Sequence, residues 1–136
     1  MSDFLKCRLM EVIQSVQGAP KPVGAYSAAV KSGDFVFCAG QIGLDPESGK
    51  LVDGGVEVEA KRVLENLKAV LEGSGTGFNK VVMTTIFLTD ISQSRLVNEI
   101  YKNYVSATFP PARQTVAVKD LPLGAQVEIS LIAAIK

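Results

Sequence analysis

Two charged side chains stand where charge is otherwise scarce. Arg113 follows Pro110-Pro111-Ala112, and the rest of the run from Phe109 to Val118 is uncharged. A planar guanidinium in that setting can hold a carboxylate by two parallel hydrogen bonds. The plainer reading is an ordinary arginine at the surface end of a strand. Glu128 lies between Val127 and Ile129 in the most apolar segment of the chain. A partly buried carboxyl can work on water, whereas a carboxyl on the solvent side of an edge strand does nothing in particular. Around a turn centred near Leu121, Arg113 lies eight residues before and Glu128 seven after, an offset that allows cross-strand or diagonal contact. A register slip of one residue would put them on opposite faces, and a simple structural ion pair is the competing explanation if they meet.

Three further positions interrupt apolar context. Tyr26, in Gly24-Ala25-Tyr26-Ser27, offers a phenol that can cover a pocket and make one hydrogen bond, although packing is the simpler role. Gly40, in Ala39-Gly40-Gln41, either lets a ligand approach the main chain or permits a bulge. Asn98 can donate to a ligand; a solvated helix position is the simpler reading. The run Gly73-Ser74-Gly75-Thr76-Gly77 is not a phosphate loop, because it lacks a Gly-Lys-Ser/Thr ending and follows a helix instead of opening one.

The composition narrows the chemistry. Lys plus Arg number 14 and Asp plus Glu 14, with no histidine, so the formal charge is zero. That leaves no basic field for a nucleic-acid backbone, which makes such a partner unexpected. Ser-His-Asp or Cys-His nucleophiles and His-ligated zinc are excluded. Cys7 and Cys38 are too few and too far apart for a disulfide framework or a CxxC site, and Cys38 in Phe35-Val36-Phe37-Cys38-Ala39 reads as core. No apolar run reaches the roughly 18 residues of a membrane span. The first residues make a poor secretory signal, and Asp3 and Glu11 argue against a mitochondrial presequence. A cytoplasmic protein is the expectation, with a mitochondrial address left open.

These residues must be positioned by elements that the hydrophobic pattern supplies. The length of 136 residues suggests a single domain over 1–136. Arg8 to Val16 reads as a short strand, and Ser27 to Lys31 with Phe35 to Gln41 as a hairpin around Ser32-Gly33-Asp34. The period then changes from two to 3.6. Ala60, Val63, Leu64, Leu67, Val70 and Leu71 form an apolar stripe, with Glu59, Lys61, Arg62, Glu65, Lys68 and Glu72 on the other face and Gly73 and Gly75 as the stop. Val81 to Thr89 is a buried strand; Ser92 caps a second helix with Leu96, Ile100 and Tyr104 on its apolar side. Arg113 to Val118 and Gln126 to Ile135 read as a terminal hairpin. The order β-β-β-α-β-α-β-β is an α+β fold with both helices on one face of the sheet. The other face needs a cover. A hydrophobic fraction of 47% leaves room for a subunit interface, so a closed homo-oligomer is expected.

Several linked motifs, in order, resemble one family. Ala19-Pro20 leads to Gly24-Ala25-Tyr26-Ser27, then to Ala39-Gly40-Gln41-Ile42-Gly43-Leu44-Asp45-Pro46 and Gly49-Lys50-Leu51. Asn66-Leu67-Lys68-Ala69-Val70-Leu71, Thr84-Thr85-Ile86-Phe87-Leu88-Thr89-Asp90, Asn98-Glu99-Ile100-Tyr101, Phe109-Pro110-Pro111-Ala112-Arg113, Leu121-Pro122 and Val127-Glu128-Ile129 follow. From about Ala19 to its end the chain is similar to the reactive-intermediate deaminase family, RidA/YjgF. The resemblance implies a chorismate-mutase-like fold and a homotrimer with a central barrel and three clefts between subunits. It also implies hydrolysis of 2-imino acids, or their enamine tautomers, to 2-oxo acids and ammonia without metal or organic cofactor. Carried over by motif position, Arg113 clamps the substrate carboxylate and Glu128 activates water. Tyr26, Asn98, Thr115 and main-chain groups near Gly40 complete the binding site. The chain departs from the family pattern at Ala25, where proline is usual, and at Ala28, Ala39, Gln114 and Thr115. These departures bear on substrate preference and rate more than on reaction class. A non-catalytic trimer that binds small carboxylates, and a ribonuclease or translation inhibitor, are the alternatives.

Overall fold

In the segment Val127–Ala134 the residues alternate strictly: Val127, Ile129, Leu131 and Ala133 are buried, while Glu128, Ser130, Ile132 and Ala134 are only partly so. A period of two makes one face of this strand the floor of a core. In the computed structural model, which describes residues 10–136, it lies in the interior of a single sheet. The strands are β1 (Met10–Ile13), β2 (Ala29–Ser32), β3 (Phe35–Gln41), β4 (Val81–Leu88), β5 (Ala112–Ala117) and β6 (Val127–Ala134). The helices are α1 (Val56–Gly73) and α2 (Ser94–Tyr101). The element order is the β-β-β-α-β-α-β-β expected from the sequence, and the spatial order of the sheet is β1-β2-β3-β6-β4-β5. Cys7, Arg8 and Leu9, the last two expected at the start of the first strand, lie outside the described residues.

The expected terminal hairpin does not exist. β5 pairs with β4 in parallel, with Arg113 opposite Thr84 and Thr115 opposite Ile86. β6 pairs antiparallel with β3 on one side and β4 on the other, with Glu128 opposite Phe87. The physical reason is the crossover. A helix between β4 and β5 carries the chain over the sheet and returns it parallel to the strand it left. Residues 118–126 are also too many for a tight turn. They carry the chain past β4 to reach β6.

The helix α1 supplies most of the cover for one face. Val63, Leu64, Leu67, Val70 and Leu71 are fully buried against Ile86, Leu88, Val127, Ile129 and Leu131. The helix ends where expected, with Ser74 donating to the Val70 carbonyl and Gly75 at φ 85° reversing the chain. On α2 the buried residues are Val97 and Tyr101, whereas Leu96 is exposed and Ile100 only half-buried. The stripe is therefore one residue out of the expected phase. Ser92 does not cap this helix: the residue at the N-cap is Gln93, whose side chain makes no capping bond, and Asp90 Oδ1 instead accepts the Ser92 N–H at 2.9 Å, capping a single 3-10 turn before α2. Cys38 is buried as expected, and desolvation pushes its thiol up to about 12. Among the described residues no helix is long and apolar enough to cross a membrane.

Among the described residues the opposite face of the sheet carries no helix. Phe35, Phe37 and Val116 on that face are each more than two-fifths exposed, and partly buried Phe87 and Ile132 lie between them in the sheet.

Candidate functional site

The residues singled out from the sequence fall into two groups on opposite faces of the sheet. In β5, Arg113 and Thr115 share the helix-covered face with their partners Thr84 and Ile86, both buried beneath α1 and α2. In β6, Glu128 shares the uncovered face with Phe87. With β4 between their strands, Arg113 and Glu128 make no cross-strand pair. The contact weighed from the sequence is absent, and the cause is strand order and parity together.

On the helix side, Arg113 is held from two directions. Its Nη1 donates to Asn98 Oδ1 at 2.6 Å, and its guanidinium carbon lies 5.0 Å from the centroid of the Tyr101 ring. The ring is itself fixed, because the Tyr101 hydroxyl donates to the buried Thr84 Oγ1 at 2.9 Å. Burial raises the Tyr101 pKa, so the phenol stays neutral and its π face is available to the cation. Asn98 is thus no solvated helix polar. It sits one turn from Tyr101 on α2, and both aim at the arginine. A cavity of about 380 Å³ opens here, lined by Arg113, Asn98, Thr115, Arg95, Ser94 and Ile91 among others. Thr115 Oγ1 is buried there and has no hydrogen-bond partner among the described residues. A buried hydroxyl without a partner is costly unless a ligand or water meets it.

On the other face, Glu128 reaches across to β3. The pairing of β3 with β6 shifts register between Cys38 and Gln41, and Gly40 falls in that irregularity. A Cβ added at Gly40 would stand 3.0 Å from Glu128 Cδ and Oε2, so the missing side chain is the space the carboxyl occupies. Burial raises the Glu128 pKa above the ordinary carboxyl value. No hydrogen bond to its carboxyl is made among the described residues. A second cavity of about 310 Å³ brings Glu128 together with Gly40, Tyr26, Pro20 and Leu123. Tyr26 is about half exposed there, its hydroxyl accepting a long hydrogen bond of 3.4 Å from the Val23 N–H.

Sequence reasoning missed the residues that position this second group. Glu59, assigned to the polar face of α1, is only 3% exposed. Its Oε1 accepts the Gln126 N–H at 2.8 Å and its Oε2 accepts the Gln126 side-chain amide at 2.9 Å. Gln126 stands immediately before β6, so this clamp fixes the entry to the strand that carries Glu128. Asn66, fully buried two turns along the same helix, donates to the Leu44 carbonyl at 3.0 Å and holds the loop leaving β3. A signal was available: Glu59, Val63, Asn66 and Val70 follow four-three-four spacing, the stripe of the core. Their polarity masked it.

One set of groups can therefore bind an anion, and the other can take and give a proton. Among the described residues no group of three or more His, Cys, Asp or Glu side chains is placed to hold a metal ion. A family model described as Endoribonuclease L-PSP matches residues 16–135. The chain belongs to this family, the RidA/YjgF proteins. A RidA/YjgF relative from Mus musculus, named 2-iminobutanoate/2-iminopropanoate deaminase, is 45% identical over 125 residues, 92% of each chain. The fold agrees. The crystal structure of RidA from an Antarctic Psychrobacter superposes with a TM-score of 0.86 at 42% identity, covering 92% of this chain and 99% of that one. The crystal structure of E. coli TdcF with bound serine superposes with a TM-score of 0.84 at 32% identity, covering 91% of this chain and 98% of that one.

Proposed function

We propose that this protein hydrolyses 2-imino acids to 2-oxo acids and ammonia in clefts formed between copies of the chain, each cleft taking Arg113 from one copy and Glu128 from the next. The observation that carries the reading is the placement of the two half-sites on opposite faces. Each is a formed cavity with half of the chemistry, and no side-chain rotation within one chain joins them. Joining two different surfaces of one molecule is a heterologous contact, which must close into a ring to remain finite. The uncovered apolar sheet face gives a ring its common interior, and a homotrimer is the small ring we propose. The deaminase name of the mouse relative and the serine bound to TdcF, a small carboxylate, support the substrate class.

The chemistry follows from the groups. The carbon of an iminium is already electrophilic, so the protein needs to hold the substrate, place a water and move protons. Arg113, aimed by Asn98 and Tyr101, pairs with the carboxylate, while Thr115 supplies a hydroxyl that has no partner among the described residues. Glu128 accepts a proton from water as its oxygen bonds to the imino carbon, giving a tetrahedral aminoalcohol. The same carboxyl returns the proton to nitrogen. The carbon–nitrogen bond then breaks as the hydroxyl gives its proton to the Glu128 carboxylate, so that ammonia leaves and the carbonyl forms. A raised carboxyl pKa suits a group that must both take and give a proton.

Subunit complementation tests the shared site. Arg113→Ala and Glu128→Gln are each expected to be inactive when an oxidase supplies imine and semicarbazide traps what remains. Unfolding the two variants together and refolding them as a mixture should restore up to about a quarter of wild-type activity, because random rings contain intact clefts. Failure of the mixture to regain activity, although mixed oligomers form, refutes the shared cleft. RNA cleavage by the wild type that Glu128→Gln abolishes, with no imine turnover, refutes the deaminase.

A further inference from the structure

We infer that the Arg113 cavity selects imino acids carrying a second acidic group, with Arg95 as the residue that recognises it; the inference rests on the deaminase reading above and names its substrate class. The cavity of about 380 Å³ is lined by two guanidinium residues, Arg95 and Arg113, and by no carboxylate. Arg95 precedes Asn98 by three residues and Ser94 by four, so all three lie on one face of α2. The bond from Arg113 to Asn98 shows that this face is turned toward β5.

Among the described residues neither cation is neutralised. Arg113 is met by an amide oxygen and an aromatic face, which orient it without cancelling its charge. Arg95 belongs to none of the ion pairs formed among the described residues. The acids nearest in sequence are otherwise engaged: Asp90 accepts both the N–H and the hydroxyl of Ser92, and Glu99 pairs with Lys102 at 2.6 Å. Two like charges facing one cavity repel, and an anion between them removes the penalty. A monocarboxylate satisfies one of them. A short dicarboxylate satisfies both, its imino-acid end on Arg113 and its far carboxylate on Arg95 beside the Ser94 hydroxyl. Ile86, Ile91 and Val97 line the same cavity and suit the methylenes between the two ends.

The test compares 2-iminoglutarate with 2-iminobutanoate, each generated in place by an amino-acid oxidase. Wild-type protein should show the higher kcat/KM for the dicarboxylate, and Arg95→Gln should lower the dicarboxylate-to-monocarboxylate ratio roughly tenfold. Arg95→Lys should recover part of it. Both arginines are exposed, so the ratio should also fall as KCl is raised. A ratio that stays within about twofold of wild type in Arg95→Gln overturns the inference. If wild-type protein hydrolyses neither compound, the deaminase reading fails, and calorimetric binding of 2-oxoglutarate against 2-oxobutanoate decides the anion preference separately. Tighter dicarboxylate binding that Arg95→Gln abolishes supports the inference; equal binding of the two overturns it.

Discussion

Gly40→Ala is the smallest change that reaches the proposed acid and base without touching it. The new methyl would stand 3.0 Å from Glu128 Cδ and Oε2 and 3.2 Å from Cγ, where ordinary contact is 3.4–4 Å. The carboxyl must therefore retreat by about 0.4–1 Å, a displacement that at a reacting centre costs on the order of a hundredfold in rate. The backbone itself tolerates alanine, because Gly40 lies outside the left-handed region and is exposed. The melting temperature should move by no more than the few degrees that about 1 kcal/mol produces. Steady-state kinetics with the semicarbazide trap should show kcat falling by about ten- to a hundredfold and KM changing much less, since Arg113 is on the other face. A double-mutant cycle sharpens the result. Glu128→Asp shortens the side chain and relieves the clash, so the combined loss in Gly40→Ala/Glu128→Asp should be smaller than the product of the two single losses. A kcat for Gly40→Ala within about twofold of wild type refutes the argument that Glu128 acts from the position Gly40 leaves open.

Two further outcomes follow from the same geometry. Glu59→Ala leaves the Gln126 N–H without its acceptor and should cost about 1–3 kcal/mol in urea unfolding, whereas Glu59→Gln keeps an acceptor for that N–H and should cost much less; equal losses would mean that the clamp is not what holds β6. Because burial raises the folded-state pKa of Glu128, stability is lost as pH rises from the ordinary carboxyl value through the raised one and stays lost above it. Glu128→Gln should therefore melt higher than wild type at neutral pH, with the difference vanishing once pH drops below the ordinary carboxyl range, and a constant difference across pH would contradict this.

Much of this protein is legible in its sequence because period and punctuation are clean. The alternation in Val127–Ala134, the Val63-to-Leu71 stripe and the glycines after it each specify one element, and the order of strands and α-helices among the described residues is the expected one. Strand order is not local. Nothing between Arg113 and Glu128 says that β4 will come between their strands, because that follows from the α2 crossover and from how the whole sheet closes. The same limit hid the relation of the site residues. Arg113 and Glu128 are each recognisable from type and context, but their separation to opposite faces depends on pairing parity across three strands. Asn98 was undervalued because a polar residue on a short helix looks solvated until its arginine partner is placed. Glu59 was misassigned because charge outweighed spacing. A buried carboxylate is stable there only because Gln126, far along the chain, brings two donors to it.

The parity that divides Arg113 from Glu128 also sets a lower bound on the machine. On the reading proposed here, two adjoining chains are the smallest unit that can complete a turnover, and a folded monomer is chemically mute however well it binds a carboxylate. Specific activity should then decline on dilution toward the dissociation range of the assembly and recover on reconcentration. In a cell, the amount of protein would act on the rate twice, through the number of sites and through the fraction of chains that have found a neighbour.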